Sequence, residues 1–435
     1  MTRATIAGGT FAALFLLLAV AAGYRALERD PHPPIPSSAA PSAEEPTQGF
    51  LYGRITTIEG ATLEGRLRFG IDEEAFWGDY LNGTKRGNPW LAQLPPEARP
   101  KERRRVEVFG VRIVDDERPI EIRRQLMARF GDVARIEAQG RNIRVTLKSG
   151  TAFDLDRFEA GDFDDGVRVW DGTRGIVDLD SLRIRSIELL PGLEPGIAPD
   201  RLHGTVRTRQ GDFTGFLQWD REACLGTDEL EGHTADGALH LRFDTLRSVA
   251  RRATDGAVAT LLDGREVVLS DSREVGPGNR GIYVDDPRYG RVLVSWDAFE
   301  RVDFTPGGTG PAYGDFPPGH PLTGSVTTRS GLRRAGRLVY DLDESETTET
   351  LDAPSRGVDY TIPFGRIASI VLPAGEKRAT VALHGGEELL LERAGDLGDQ
   401  NAGLMIFLEG RERPEYVPWA DVERVDFDHP TTPTR

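Results

Sequence analysis

The sequence contains almost no cysteine. Of its 435 residues only Cys224 carries a thiol. One thiol cannot form an intrachain disulfide, and zinc sites of the Cys-x-x-Cys kind are excluded. Stability must therefore come from side-chain packing. We expect Cys224 to be a buried apolar filler rather than a reactive thiol.

Positive charge is also scarce. The chain has 54 Lys and Arg against 70 Asp and Glu, which gives a formal net charge of -16. A chain of this sign repels phosphate backbones, so the composition argues against general nucleic-acid binding. Only residues 101–105 approach a basic cluster, and a run this short is typical of a solvated loop.

Recognisable catalytic motifs are missing. The sequence has no Gly-x-Ser-x-Gly, no His-Glu-x-x-His and no Walker-type lysine loop. His384-Gly385-Gly386 resembles an oxyanion-hole turn, but it occupies the hairpin position that Asp263-Gly264 holds earlier in the chain. We therefore favour a protein that is not an enzyme and has no cofactor. A Ser-His-Asp assembly across loops stays open as an alternative.

The sequence has a single long hydrophobic run, at its N-terminus. An uncharged segment follows Arg3 and extends from Ala4 to Gly23. Its length permits an uncleaved membrane anchor, whereas the small residues at 19–21 fit a signal-peptidase site. We predict a signal peptide or membrane anchor over 1–25, a Pro-rich linker over 26–49, and an exported chain in the cell envelope, on the periplasmic or outer face.

Glycine, by contrast, is abundant and marks an internal repeat. The pattern Gly-x-Val/Ile-x-Thr-x-x-Gly, followed by Gly-x-Leu-x-aromatic, begins at Gly53, Gly204 and Gly324. Alternating apolar residues around a turn glycine predict a β-hairpin. Downstream, Phe-x-x-apolar-x-x-apolar begins at Phe130, Phe243 and Phe364. This spacing predicts a strand end, a 3₁₀ turn and a new strand.

Each copy contains a second hairpin, with turns at 149–150, 263–264 and 385–386. We therefore predict an all-β protein of three tandem repeats, each made of two similar halves. The predicted boundaries are 50–190, 200–305 and 320–428. Because such small cores are marginal alone, we expect the repeats to pack along a line.

A small meander of strands with a 3₁₀ turn before its last strand resembles the SH3-like or Sm-like barrel. The segments Trp77-Gly78-Asp79 and Asn82-Gly83-Thr84-Lys85 resemble uncharacterised exported bacterial repeat proteins. These resemblances imply a pair of small β-barrels in each repeat. They imply no activity, since a fold alone does not assign one.

The first copy is longer than the other two, and its extra residues lie within an insertion at 77–126. Insertions on repeat scaffolds often bind something. Aromatic rings that stack on sugars stand there beside hydrogen-bonding groups, so we predict ligand-binding residues at Trp77, Asp79, Tyr80, Asn82, Lys85 and Trp90. The alternative is that the aromatic side chains of the insertion cover an open end of a barrel.

Two acidic clusters are candidates for calcium, one at Asp162, Asp164 and Asp165 and the other at Asp341, Asp343 and Glu344. The first lacks the Asp-x-Asp-x-Asp-Gly loop with its bidentate glutamate. It also falls where the other copies have turns, which Asp and Asn tolerate. We predict turns there and no metal site.

These observations favour a non-catalytic binding or scaffold module for envelope proteins or glycans. One alternative is a hydrolase that acts on an envelope polymer through Asp79 with Glu73 or Glu74, since paired carboxylates are the minimum for glycoside cleavage. The other is a purely structural spacer. The expected partners are an envelope protein or glycan, and the membrane if the N-terminal segment is retained.

Overall fold

A computed structural model describes residues 49–70, 73–96, 99, 101–108, 111–119, 124–192, 201–308 and 310–429, with only the backbone described over 101–119. All of them belong to one compact unit, residues 43–435. The predicted signal peptide or membrane anchor lies outside the described residues. Within the described ranges no helix is long and apolar enough to cross a bilayer.

The described chain is all-β, as predicted, with short strands joined by turns and 3₁₀ helices. The strands of the first repeat are β1 Tyr52–Thr57, β2 Thr62–Phe69, β3 Tyr80–Thr84, β4 Lys101–Val108, β5 Val111–Pro119, β6 Gln125–Arg129, β7 Val133–Gln139, β8 Asn142–Leu147, β9 Ala152–Asp156, β10 Val167–Asp171, β11 Gly175–Leu179 and β12 Ile184–Leu189. One short α-helix, α1, spans Gly161–Asp164.

The second and third repeats each contribute ten strands. Those of the second are β13 His203–Thr208, β14 Gly211–Gln218, β15 Glu229–Thr234, β16 Gly237–Arg242, β17 Leu246–Arg251, β18 Gly256–Leu261, β19 Glu266–Ser270, β20 Ile282–Asp286, β21 Gly290–Val294 and β22 Phe299–Phe304. Those of the third are β23 Thr323–Thr328, β24 Arg333–Val339, β25 Thr350–Ser355, β26 Val358–Pro363, β27 Ile367–Val371, β28 Arg378–Leu383, β29 Glu388–Glu392, β30 Leu404–Phe407, β31 Glu415–Val417 and β32 Val422–Phe427.

The predicted hairpins and turns are confirmed. In each repeat the phenylalanine of the second signature begins a 3₁₀ helix, at Phe130–Asp132, Phe243–Thr245 and Phe364–Arg366, and a strand follows at once. These phenylalanine side chains are buried. The aromatic residue therefore anchors the 3₁₀ turn in the core, and the next apolar residues continue onto the strand.

One strand order recurs in all three repeats. The sheet of the first repeat runs β11-β10-β2-β1-β12-β7-β8-β9, and the corresponding strands of the second and third repeats follow the same order. The large antiparallel sheets have 8, 12 and 8 strands, and β3-β6 and β4-β5 form two smaller ones. The threefold repetition of the sequence is thus a threefold repetition of one sheet.

Strand pairing crosses the boundary expected between the two halves of a repeat. β2 pairs with β10 of the other half, and β12 pairs with both β1 and β7. One lobe therefore consists of β1, β2 and β10–β12, and the strands between them build the other. In the described part of the chain no sheet closes into a barrel through strand pairing. Alternation along a strand specifies which face is buried and leaves the pairing partner open.

Close packing of neighbouring strands explains why glycine occupies these positions of the first signature. Gly204 lies opposite Gly215 across the β13–β14 hairpin. A Cβ at Gly215 would overlap the carbonyl oxygen of Asp285 on β20, and one at Gly204 would overlap that of Asp303 on β22. Each glycine thus lets a neighbouring strand approach its backbone.

The repeats do not lie along a line, and that expectation is wrong. Strands β21 and β26 pair, which joins the second and third repeats in the 12-stranded sheet. The first repeat also contacts the third, because Lys85 forms ion pairs with Asp343 and Glu349. In a linear array each repeat contacts only its neighbours. Here every repeat contacts both others.

Candidate functional site

The predicted ligand residues of the insertion mostly face other repeats. Trp77 is 2% exposed, and its ring centroid lies 4.8 Å from that of Phe216 in the second repeat. Asp79 is buried beside it and accepts hydrogen bonds from the side chain of Gln218 and from the backbone N–H of Ala75 at 2.7 Å. Burial raises the pKa of Asp79 to about 6. Both side chains belong to the contact between repeats 1 and 2.

Asp79 also has counterparts in the other copies. Asp228 accepts hydrogen bonds from the backbone N–H of Cys224 and Leu225, both at 2.8 Å. Glu349 accepts the equivalent pair from Ser345 and Glu346. A carboxylate thus closes the same turn in every repeat. In the sequence, this turn is marked by an acidic residue immediately before the third strand of each copy.

The carboxylate pair of the hydrolase alternative is enclosed. Glu74 is 8% exposed, forms an ion pair with Arg66 at 2.5 Å and receives the thiol of Cys224 at 3.7 Å. Burial opposes ionisation of Glu74, but Arg66 and Arg201 outweigh it and lower its pKa. Cys224 is buried, as predicted, and burial raises the pKa of its thiol well above the usual value.

Tyr80 and Asn82 lie on β3 with opposite exposure. Tyr80 is buried under the guanidinium of Arg291, whose carbon lies 4.1 Å from the ring centroid, and burial raises its pKa to about 12. Asn82 is exposed, and its side-chain amide donates to the Asp162 carboxylate at 3.2 Å. Asp162, from the first acidic cluster, therefore hydrogen-bonds to the outer edge of β3 at Asn82.

Lys85 is the centre of the contact between repeats 1 and 3. Its side chain is 7% exposed, and its Nζ lies 2.9 Å from Asp343 and 3.2 Å from Glu349. Burial opposes its charge, yet these two carboxylates outweigh burial and raise the pKa of Lys85 above its usual range. Nearby, Arg124 binds Asp341 at 2.7 Å. Two cations of the first repeat thus meet the second acidic cluster.

Behind these ion pairs is a cavity of about 250 Å³ with an excess of carboxylates. Asp341, Asp343, Glu344, Glu349, Asp352 and Asp396 line it, together with Lys85 and Arg124. Burial raises the pKa of Asp341 to about 6 and that of Asp396 to about 8. Among the described residues no group of three or more His, Cys, Asp or Glu is arranged to hold a metal ion.

Lys85 also lines a larger cleft of about 490 Å³, which we call the junction groove. Its lining comes from repeats 1 and 3 and includes Lys85, Asn88, Trp90, Thr151, Phe153, Asp154, Asp343 and Ser345. Trp90 and Phe153 are partly exposed, and Asp154 is exposed. The groove therefore offers two aromatic rings beside hydrogen-bonding groups.

Both walls of the junction groove are fixed by contacts. The Asn88 side chain donates to the carbonyl of Leu342 at 2.8 Å and accepts from the backbone N–H of Trp90 at 3.0 Å. The Trp90 ring centroid lies 5.9 Å from that of Phe407. On the opposite wall, Asp154 pairs with Arg144 at 2.8 Å. These contacts fix the positions of the Asn88, Trp90 and Asp154 side chains in the groove.

Of the six predicted residues, the structure brings Lys85 and Trp90 to the groove and places the other four elsewhere. Whether any of the six binds a ligand stays a prediction. Sequence reasoning missed Phe153 and Asp154, which alternate on β9 like any strand residues, and it considered Asp343 only as part of a candidate calcium cluster. No local signal links these positions, because they come from different repeats.

Comparison of the chain with protein-family models, with curated proteins and with solved structures finds no match in any of the three. The family resemblances suggested by the sequence therefore receive no support from relatives. What is established is a β protein of several antiparallel sheets.

Proposed function

We propose that this protein is a non-catalytic binding module of the cell envelope and that its junction groove binds a glycan. One observation carries the proposal: the groove presents Trp90 and Phe153 next to polar groups, within a cleft of about 490 Å³. Sugar rings stack on aromatic faces while their hydroxyls donate to carboxylates, and preformed clefts of this size are typical of small-ligand sites.

The charge around the groove favours a neutral or weakly basic glycan. Asp154 lies on one wall and Asp343 on the other, and the cation between them, Lys85, is already bound by two carboxylates. Asp154 is paired with Arg144, and Lys85 is shared between Asp343 and Glu349, so an acidic polymer would find no free cation among these residues. The export segment at Ala4–Gly23 supports the envelope location, where such polymers occur.

We also propose that the two lobes of each repeat are SH3-like or Sm-like. Strands β15 to β19 follow one another in the chain, and a 3₁₀ helix lies between β16 and β17. The first and last of these strands, β15 and β19, pair through His233 and Ser270. This arrangement supports a small, nearly closed meander. An experimental structure of the second repeat would test the lobe closure directly.

The binding proposal is tested by calorimetric titration of the full chain with soluble fragments of envelope glycans. We expect Trp90→Ala and Phe153→Ala each to weaken binding about tenfold, which equals about 1.4 kcal/mol. Trp170→Ala is the matched control, because Trp170 is a partly exposed tryptophan of the same repeat outside the groove.

Equal binding by Trp90→Ala and wild type would contradict the groove assignment. Shortened glycan products in the titration cell would favour the hydrolase alternative. Absence of binding to any fragment would favour the spacer.

A further inference from the structure

The second and third repeats are joined by pairing of β21 with β26. In the described part of the chain, the strands at the corresponding positions of other repeats include two edge strands with one unpaired side. Strand β21 pairs with β26 through Arg291–Thr361, Val292–Tyr360, Leu293–Asp359 and Val294–Val358. By position in the repeated sheet, β11 of the first repeat corresponds to β21, and β16 of the second corresponds to β26. Among the described residues, β11 pairs only with β10, and β16 only with β15.

Exposure separates the open strands from the paired ones. On β21 and β26, Val292, Val294, Val358 and Ile362 are fully buried. On β11, Ile176 is 38% exposed, and on β16 the His240 side chain is 51% exposed. The open strands thus present unpaired backbone donors and acceptors together with partly exposed apolar side chains, which is the arrangement that accepts an added strand.

We propose that β11 of one molecule pairs antiparallel with β16 of a second copy, in the register of the β21–β26 ladder. Gly175 corresponds to Gly290, since both end the pairing with the preceding strand. Gly237 likewise corresponds to Val358. The shared register therefore places Ile176 opposite His240 and Val177 opposite Leu239.

The residues on these two strands suit each other across the proposed ladder. Val177 and Leu239 are partly buried apolar side chains that already pack against the core of their own repeat. Facing each other, they would extend that apolar contact across the interface. The neighbouring charged groups are already paired within their own molecule, Asp178 with Arg168 and Arg242 with Asp244, so the proposed ladder rests on backbone pairing and apolar contact.

The interface is heterologous, because β11 and β16 are different surfaces of one chain. After one such contact, the first molecule still has a free β16 and the second a free β11. Such contacts build a ring if the rotation closes and a filament if it does not. An envelope protein with this property would form an extended array of junction grooves, although the assembly does not depend on the groove binding a ligand.

Mixing experiments test the pairing directly, because the chain has one cysteine and it is buried. Full-length Ile176→Cys and His240→Cys variants are mixed under mild oxidation and separated by non-reducing electrophoresis. We expect a disulfide-linked dimer in the mixture and little in either variant alone. Equal cross-linking of Ile176→Cys with itself, or no cross-linked dimer in the mixture, would overturn the proposal.

Sedimentation velocity of the full chain in detergent supplies the second measurement. The wild-type mass should rise with concentration, to at least twice the monomer mass. Ile176→Lys combined with His240→Lys should abolish this rise, and Ile176→Lys with His240→Glu should restore it. Leu262→Lys, an exposed apolar residue outside both strands, is the control and should behave as wild type. Association that persists in the Lys–Lys variant would count against the ladder.

Discussion

The two junctions that involve the third repeat use different interactions: strand pairing and apolar contact in one, and buried ion pairs in the other. Repeats 2 and 3 share the β21–β26 ladder and one continuous apolar core, in which the Tyr360 ring centroid lies 6.0 Å from that of Phe213. Repeats 1 and 3 meet through Lys85, Arg124 and the carboxylates around them. A single repeated unit thus joins its neighbours either by extending its sheet or by placing an insertion against it.

The two kinds of junction respond differently to change. An apolar ladder loses free energy in proportion to the surface removed, whatever the pH. A buried ion pair is balanced against desolvation, so removal of one partner costs more than the pair contributes. Each prediction below separates these behaviours.

The largest effect is expected from Lys85→Met. The substitution keeps the aliphatic stem but leaves Asp343 and Glu349 buried without their cation. We expect the free energy of unfolding to fall by about 3–5 kcal/mol, measured by urea denaturation followed by tryptophan fluorescence. Arg168→Met is the control, because its partner Asp178 is 65% exposed, and such pairs contribute at most about 1 kcal/mol. Equal losses in the two variants would contradict a dominant role for burial.

A somewhat smaller effect is expected from Tyr360→Ala, at the apolar junction. Tyr360 is 5% exposed and packs edge to face with Tyr289, at a centroid distance of 5.8 Å. Truncation of a buried aromatic ring costs about 3 kcal/mol, and the loss should be the same at pH 5 and pH 8. Ile176→Ala on the open strand β11 should change stability by less than about 0.5 kcal/mol. A loss that varied with pH would show that the apolar junction is not purely apolar.

The remaining prediction is a pH dependence at the ionic junction. Burial raises the pKa of Asp396 to about 8, so the folded state holds a proton there that the unfolded state releases near pH 4. Stability from this group is therefore complete below about pH 4 and decreases as the pH rises toward 8. Asp396→Asn removes the titration, so its melting temperature should decline less than that of wild type between pH 5 and pH 8.

The matched variant for this measurement is Asp178→Asn. The ion pair with Arg168 lowers the pKa of Asp178, so that group is ionised throughout the pH range. Its melting temperature should change with pH as that of the wild type does. Parallel pH slopes for Asp396→Asn and wild type would show that the raised pKa of Asp396 does not contribute.

Local patterns predicted the elements of this fold well. The turn at Gly211 and the 3₁₀ helix after Arg242 both lie where the spacing of apolar residues placed them. The crossing of β2 to β10 was not predictable, because hydrophobic alternation is the same whichever strand lies alongside. The candidate site was predicted in part, since Lys85 and Trp90 belong to the insertion while Phe153 and Asp343 are distant in sequence.

The sequence by itself determined the all-β fold class, the number of repeats and the positions of the hairpins. These features depend on the spacing of residues that are neighbours along the chain. Only the tertiary structure decided that Asp79 contacts Gln218 of the second repeat, that Lys85 bridges two repeats and that β11 and β16 stay open. Those outcomes depend on burial and on contacts between residues far apart in the chain, and neither has a local pattern.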